Sequence, residues 1–162
     1  MRIRPVMPSE YQELGRITLA AYRSIDGHKP SAAYSEKLRD VAFRDRDAEV
    51  LVAVGEDGAL LGGVTYVADP AAELAEFDDP DEACFRMLAV DPGRRGEGTG
   101  AALVEACIER ARAGRKRALT LYTTPAMTAA HRLYERFGFR RDPSRDMIVE
   151  SDVTLRSYVL DL

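Results

Sequence analysis

The stretch Val90-Asp91-Pro92-Gly93-Arg94-Arg95-Gly96-Glu97-Gly98-Thr99-Gly100 constrains the fold more than any other part of the chain. It follows an apolar β-type run, Cys84 to Val90. It precedes a helical pattern, Ala101 to Arg112, whose apolar face carries Leu103, Val104, Cys107, Ile108 and Ala111. Gly114 ends that helix, and a second β-type run, Ala118 to Thr123, follows. Strand, crossover helix and strand make a βαβ unit, with two parallel strands and the helix packed on one face of them. The turn at its head leaves several helix N–H groups without intrahelical partners. Glycines without Cβ let those groups approach an anionic oxygen closely, and the helix dipole adds about half a positive charge. Arg94 and Arg95 place full charges beside it. A phosphate or pyrophosphate is the natural ligand of such a turn.

Other uses of a glycine-rich turn fit less well. A plain loop does not require two arginines at a helix start. A nucleotide P-loop needs a Lys-Ser/Thr pair, and none follows Gly98. Gly96-x-Gly98-x-x-Ala101 formally matches a dinucleotide-binding turn, which wants an acid at the end of the next strand. That strand ends Leu121-Tyr122-Thr123-Thr124. The motif also falls mid-chain rather than opening the fold.

The remaining pattern fills out one mixed α/β domain over residues 1–162. Arg2 to Val6 reads as a strand, and Pro8-Ser9-Glu10 as the start of a helix reaching Ser24. After a loop at 26–31, Tyr34 to Arg46 reads as a second helix. Glu49 to Gly55 and Ala59 to Val67 form a hairpin about Glu56-Asp57-Gly58. Pro125 opens a helix with Met127, Ala130, Leu133, Tyr134 and Phe137 inward, ended by Gly138. Phe139 to Arg141 and Val153 to Leu160 supply the last strands.

Two segments together carry a family resemblance. Arg95-x-x-Gly98-x-Gly100 is similar to the coenzyme A pyrophosphate motif of the GNAT acetyltransferases, and Leu88-Ala89-Val90-Asp91-Pro92 resembles their fourth strand. Ala130-His131-Arg132-Leu133-Tyr134-Glu135-Arg136-Phe137-Gly138-Phe139 resembles their closing signature. The strong resemblance covers about residues 84–141. It implies a mostly antiparallel central sheet with flanking helices, in which parallel strands 4 and 5 splay apart around the pantetheine arm. Acetyl-CoA is the implied cosubstrate. Backbone groups of Leu88, Ala89 and Val90 would hold the pantetheine and the thioester oxygen. Arg95, Gly96, Glu97, Gly98, Thr99, Gly100 and Ala101 would cradle the pyrophosphate.

The implied reaction is acetyl transfer to a primary amine, small or peptidic, by direct attack in a ternary complex. The alternative is a non-catalytic acyl-CoA sensor. Tyr134 matches the position of the general acid that protonates the departing thiolate, and core packing is its other reading. Relatives often place a base at the position of Tyr122, which is no carboxylate here. Other relatives use a Glu near the start of the fourth strand, and Glu82 is the nearest candidate, on the face of Cys84 and Arg86 by parity if the strand extends that far. A surface acid and a relayed water are the competing readings. Met127 stands where many relatives carry a coenzyme-contacting Asn. His131 reads as exposed rather than catalytic.

Charge and composition narrow the partners. The net charge of −4 disfavours nucleic acid. Asp69, Glu73, Glu76, Asp78, Asp79, Asp81 and Glu82 form an acidic run without one Lys or Arg, and the rest of the chain is net basic. The run reads as a solvated loop or as an acidic lip that concentrates a cationic acceptor. No apolar stretch approaches a membrane span or a secretory signal, so a cytoplasmic location is expected. Cys84 and Cys107 read as buried small side chains, and with His28 and His131 they form no metal-binding spacing. By the resemblance, the first two helices and residues 69–82 enclose the acceptor, with Tyr22, Asp26, His28 and Tyr34 as wall candidates. Dimers are common among relatives, and Val153 to Leu160 offers an edge for pairing.

Overall fold

The computed structural model describes residues 1–27, 29–149 and 153–162, so the expectation for His28 lies outside the described residues. Strands β1 (Arg2–Pro5), β2 (Glu49–Val54), β3 (Leu60–Val67), β4 (Glu82–Val90), β5 (Ala118–Thr123), β6 (Arg140–Arg141), β7 (Met147–Val149) and β8 (Val153–Asp161) form one sheet. Its order is β1-β2-β3-β4-β5-β8-β6, with β7 also on β8. Every neighbouring pair is antiparallel except β4 and β5. The parallel pair is the one read from the βαβ unit, and the mostly antiparallel sheet around it is the one the resemblance implied. No helix among the described residues is long and apolar enough to cross a membrane.

Both faces of the sheet are covered, which explains why β2 reads as a near-continuous apolar run. Its Val50, Val52 and Val54 pack with Leu14 of α1 (Tyr11–Arg23) and Val41 of α3 (Val41–Asp47). The alternate residues Leu51 and Ala53 join Leu103, Val104 and Cys107 of α4 (Thr99–Ala113). Period-two alternation thus serves two cores rather than one core and solvent.

The single helix expected over 34–46 is two. Helix α2 (Ala32–Arg39) is capped by the Ser31 hydroxyl, which accepts from the Tyr34 N–H. It stops at Asp40, whose carboxylate accepts from the Phe43 N–H at 3.0 Å and starts α3. The helix expected from Pro125 begins later, as α5 (Thr128–Arg136). Strand β7 carries no strong sequence signal; it is short and exposed.

Strand β8 is not a free pairing edge. One side pairs with β5 from Ala118↔Asp161 to Thr123↔Arg156, and the other with β6 and β7. Its backbone groups are spent inside the sheet, so the dimer edge expected there is occupied within the chain.

Strand β4 is irregular where it matters. Thr65 faces Arg86 and Gly63 faces Ala89, so Met87 and Leu88 together oppose Val64. This is a β-bulge, with Met87 at φ 53°. Gly62 allows the close approach of strands beside it, since a Cβ there would lie 2.2 Å from the Ala89 oxygen. The bulge resets the alternation. Phe85 before it and Leu88 after it both face the α4 core, while Met87 packs with Leu19 and Leu38 on the opposite face.

Candidate active site

The parallel pair is joined only at its lower end. Glu82, Ala83 and Cys84 pair with Ala118, Leu119 and Thr120, and no pairing continues beyond them. From Phe85 onward, the edge of β4 facing β5 has no strand partner among the described residues. The wedge between the strands opens into a cleft of about 440 Å³. One wall is Phe85 to Leu88 with Val90, and the other is Leu121 and Tyr122. Residues 126–130, leading into α5, close one side, and Tyr22, Ser24, Ile25 and Asp26 at the end of α1 close another.

At the cleft's head lies the glycine-rich turn. Asp91 opens it, its carboxylate accepting from the Gly93 N–H at 2.9 Å. Gly96 and Gly98 adopt φ 86° and 77°, which favours glycine at both places. Gly98 is the N-cap of α4 and supplies no side-chain cap, so the first-turn amides of α4 keep their donors free. A Cβ at Gly96 or Gly98 would have no protein atom within 4 Å, so open space lies beside the backbone there. The Thr99 hydroxyl is buried without a hydrogen-bond partner at the same helix start. Free amides, an orphaned hydroxyl and open space suit an anionic group.

Of the two arginines in the turn, one faces the cleft. Arg95 lines it and donates to the Ser24 hydroxyl across the mouth. Arg94 turns away, held by Glu97 at 2.8 Å and Asp57 at 3.2 Å. The Glu97 side chain is thereby committed to Arg94, leaving only its backbone for a ligand. Gly100 has a packing role, since a Cβ there would lie 3.3 Å from Leu133 Cδ2 and 3.7 Å from Val90 Cγ2.

Tyr134 lines the cleft from α5. Its ring is buried edge-on against Phe85, centroids 5.8 Å apart, and also touches Phe139 and Tyr158. Burial pushes its hydroxyl pKa well up, so the group keeps its proton at any ordinary pH. The residue thus packs in the core and borders the cleft at once.

Glu82 is placed elsewhere. It sits at the closed end of the β4–β5 pair, 2% exposed. Arg145 grips it bidentately at 2.8 and 2.9 Å, and Arg117 donates at 2.9 Å. It is not among the cleft-lining residues. Parity did put it on the face of Cys84 and Arg86, but Arg86 lies at the cleft and Glu82 at the closed end of the pair. Its charge-assisted bonds to Arg117 and Arg145 tie β4 to β5 and to the segment before β7, a placement outside the cleft rather than beside it.

Part of the acidic run is committed within the chain. Glu76 pairs with Arg86 at 3.1 Å, Asp79 with Arg117 at 2.5 Å, and Asp69 turns the chain by accepting from the Ala71 N–H. The Glu76 carboxyl is pushed up by burial, with Arg86 opposing the shift. His131 is half-buried rather than exposed. It stacks on Tyr158 at 5.7 Å and bonds the Thr124 oxygen at 2.9 Å, and burial lowers its pKa. Cys84 and Cys107 are free and buried, and burial raises both thiols. Arg86 is the cleft residue that sequence reasoning passed over. Its signal was a lone cation inside the apolar run Cys84 to Val90.

Comparison with known proteins gives a consistent result. Residues 11–139 match the family model described as the acetyltransferase (GNAT) family. A stretch of 71 residues, 44% of this chain, is 42% identical to N-acetylaspartate synthetase of Danio rerio and spans 24% of that protein's length. Among solved structures, a ribosomal-protein-alanine N-acetyltransferase from Brucella melitensis aligns with a TM-score of 0.75 over 100% of both chains, at 20% identity. A GNAT family acetyltransferase from the same organism, in complex with acetyl-CoA, aligns with a TM-score of 0.64 over 99% of this chain and 87% of that one, at 23% identity. At such identities the structural likeness establishes the fold.

Proposed function

Because the chain belongs to the acetyltransferase (GNAT) family, we propose that it transfers the acetyl group of acetyl-CoA to a primary amine by direct attack in a ternary complex. The observation that carries this reading is the wedge between β4 and β5, open at one end onto the free amides of the turn and lined deeper in by Tyr134. The amides around Gly98 to Ala101, with Arg95 and the Thr99 hydroxyl, would hold the pyrophosphate. The unpaired edge of Leu88, Ala89 and Val90 would hold the pantetheine as an added strand and the thioester oxygen as an oxyanion site.

In this reading the neutral amine attacks the thioester carbonyl carbon. The C–N bond forms, the C–S bond breaks, and Tyr134 gives its proton to the departing thiolate. Burial keeps the Tyr134 hydroxyl protonated until the thiolate forms, and the support for its role is its place on the cleft. The excess proton on the acylated nitrogen passes through water in the open cleft and restores the Tyr134 hydroxyl. Met127 takes the place of a coenzyme-contacting amide and, as the N-cap of α5, makes no side-chain cap bond.

The test is thiol release from acetyl-CoA over a panel of peptides, amino acids, polyamines and aminoglycosides, for the native chain and Tyr134→Phe. The substitution keeps the ring packing and removes only the hydroxyl. We expect kcat to fall by roughly 10²–10⁴-fold, with coenzyme A affinity unchanged. An unaltered kcat would remove Tyr134 as the acid. Tight acetyl-CoA binding with no turnover of any amine would replace the enzyme by an acyl-CoA sensor.

A further inference from the structure

A second cavity, of about 230 Å³, lies behind the cleft wall. Arg86 and Met87 line both spaces, so the cavity and the acceptor end of the cleft meet at these two residues of β4. Three cations border it: Lys37 from α2, Arg44 from α3 and Arg86. Two acids also do, and neither forms an ion pair with these cations. Asp40 is committed to the cap of α3, and Glu73 lies exposed at the rim. Among the described residues, Glu76 on Arg86 is the carboxylate in ion-pair contact with any of the three.

Arg44 is the unusual member. It is 1% exposed. Its guanidinium donates to the Thr65 hydroxyl and the Leu38 carbonyl at 3.0 Å each, and to the Thr18 hydroxyl at 3.4 Å. These neutral acceptors orient the group without cancelling its charge, and its Nε, also buried, has no partner. A buried charge without a counter-ion is costly, by several kcal/mol before compensation. Burial accordingly draws its pKa down to about 10, with Arg86 adding to the shift and Tyr22, Tyr34 and Asp40 opposing it. A simple staple between α1, α2 and β3 would be served by a neutral side chain. Arg86 is itself held in a fixed orientation, by Glu76 on Nε and the Leu74 carbonyl on Nη1 at 3.2 Å.

Resting on the acetyl-transfer reading above, we propose that the acceptor amine carries a carboxylate, and that this carboxylate binds at Arg86 in the cavity bordered by Arg44 and Lys37 while the amine lies in the cleft. The acceptor is then an amino acid or a short amine acid, rather than the cationic acceptor drawn by an acidic lip. Arg86 makes the direct contact, as a planar fork suited to carboxylate. Arg44 supplies a buried charge with no ion-pair partner behind it, and Lys37 the steering charge at the mouth.

The experiment uses ω-amino acids from glycine to 6-aminohexanoate, each against the alkylamine lacking its carboxylate, with succinate as an amine-free carboxylate probe. Turnover with acetyl-CoA and calorimetric titration of the free and coenzyme A-loaded protein are both read. We expect at least one amino acid to exceed its alkylamine in kcat/KM by roughly tenfold or more, chiefly through KM. Arg86→Gln is expected to abolish the preference, and Lys37→Met, an exposed substitution safe for folding, to weaken it. Alkylamines turned over as well as their amino acids, or a preference that survives Arg86→Gln, would overturn the proposal. If no amine is turned over, the titrations decide. Saturable binding of amino acids or succinate that is lost in Arg86→Gln upholds the site even as the acetyl-transfer reading falls, and absence of such binding refutes it.

Discussion

Gly98 offers a perturbation whose effects on folding and on binding separate cleanly. Its φ of 77° and ψ of 10° lie in the left-handed region, where an L-residue costs roughly 1–2 kcal/mol. No protein atom lies within 4 Å of a Cβ placed there, so substitution adds strain and no internal clash. Gly98→Val should therefore lower Tm by only a few degrees, at about 2–4 °C per kcal/mol for a chain of this size. The added methyls enter the space where a pyrophosphate must approach the first amides of α4. Losing one charge-assisted hydrogen bond there costs about 1.5–3 kcal/mol, or roughly 10–150-fold in Kd for coenzyme A. The assay pairs a thermal melt with calorimetric titration by coenzyme A. Gly100→Ala provides the contrast, since its Cβ would press on Leu133 at 3.3 Å and should disturb the packing of α4 on α5. A folded Gly98→Val protein with native affinity for coenzyme A would refute the assignment of the turn.

Further expectations follow from particular contacts. Arg95→Ala, which removes the cleft-facing cation of the turn, should weaken coenzyme A binding about tenfold at low salt and less at high salt, as titrations at two ionic strengths would register. Glu82→Gln should cost about 1–3 kcal/mol in urea unfolding through its bonds to Arg117 and Arg145, with kcat unchanged, whereas a large loss of kcat in stable protein would restore it as a base. Asp146 is held at a pKa of about 2 by Arg141 and the Ser157 N–H. A lowered carboxyl pKa contributes stability that is complete above the unfolded value near 4 and is lost as pH falls through the folded one. Asp146→Asn should therefore destabilise at pH 7 and become equivalent to the native chain towards pH 2, as melts across that range would show.

The central unit was legible because its signals are local. Glycines, an apolar strand, a helical stripe and a second strand lie within forty residues, and β4, the turn, α4 and β5 stand where those signals put them. The bulge was not legible, because a methionine gives no hint of a positive φ. Glu82 lies before the bulge, on the strand face that parity gave it but at the closed end of the β4–β5 pair and outside the cleft. The partners of Glu82 lie 35 and 63 residues away, beyond any pattern in the local sequence. Arg44 reads as one more polar residue of a surface helix, and only the docking of α3 against α1 and β3 buries it. The break at Asp40 could have been read, since an Asp that caps a helix often marks the end of the one before it.

The most direct measurement is calorimetric titration of the purified protein with acetyl-CoA and coenzyme A, with NADH as the control. Saturable binding of the first two and none of the third is the result this account requires, because the turn and the open β4 edge are assigned to a thioester-bearing phosphopantetheine. No binding of either coenzyme by folded protein would contradict it.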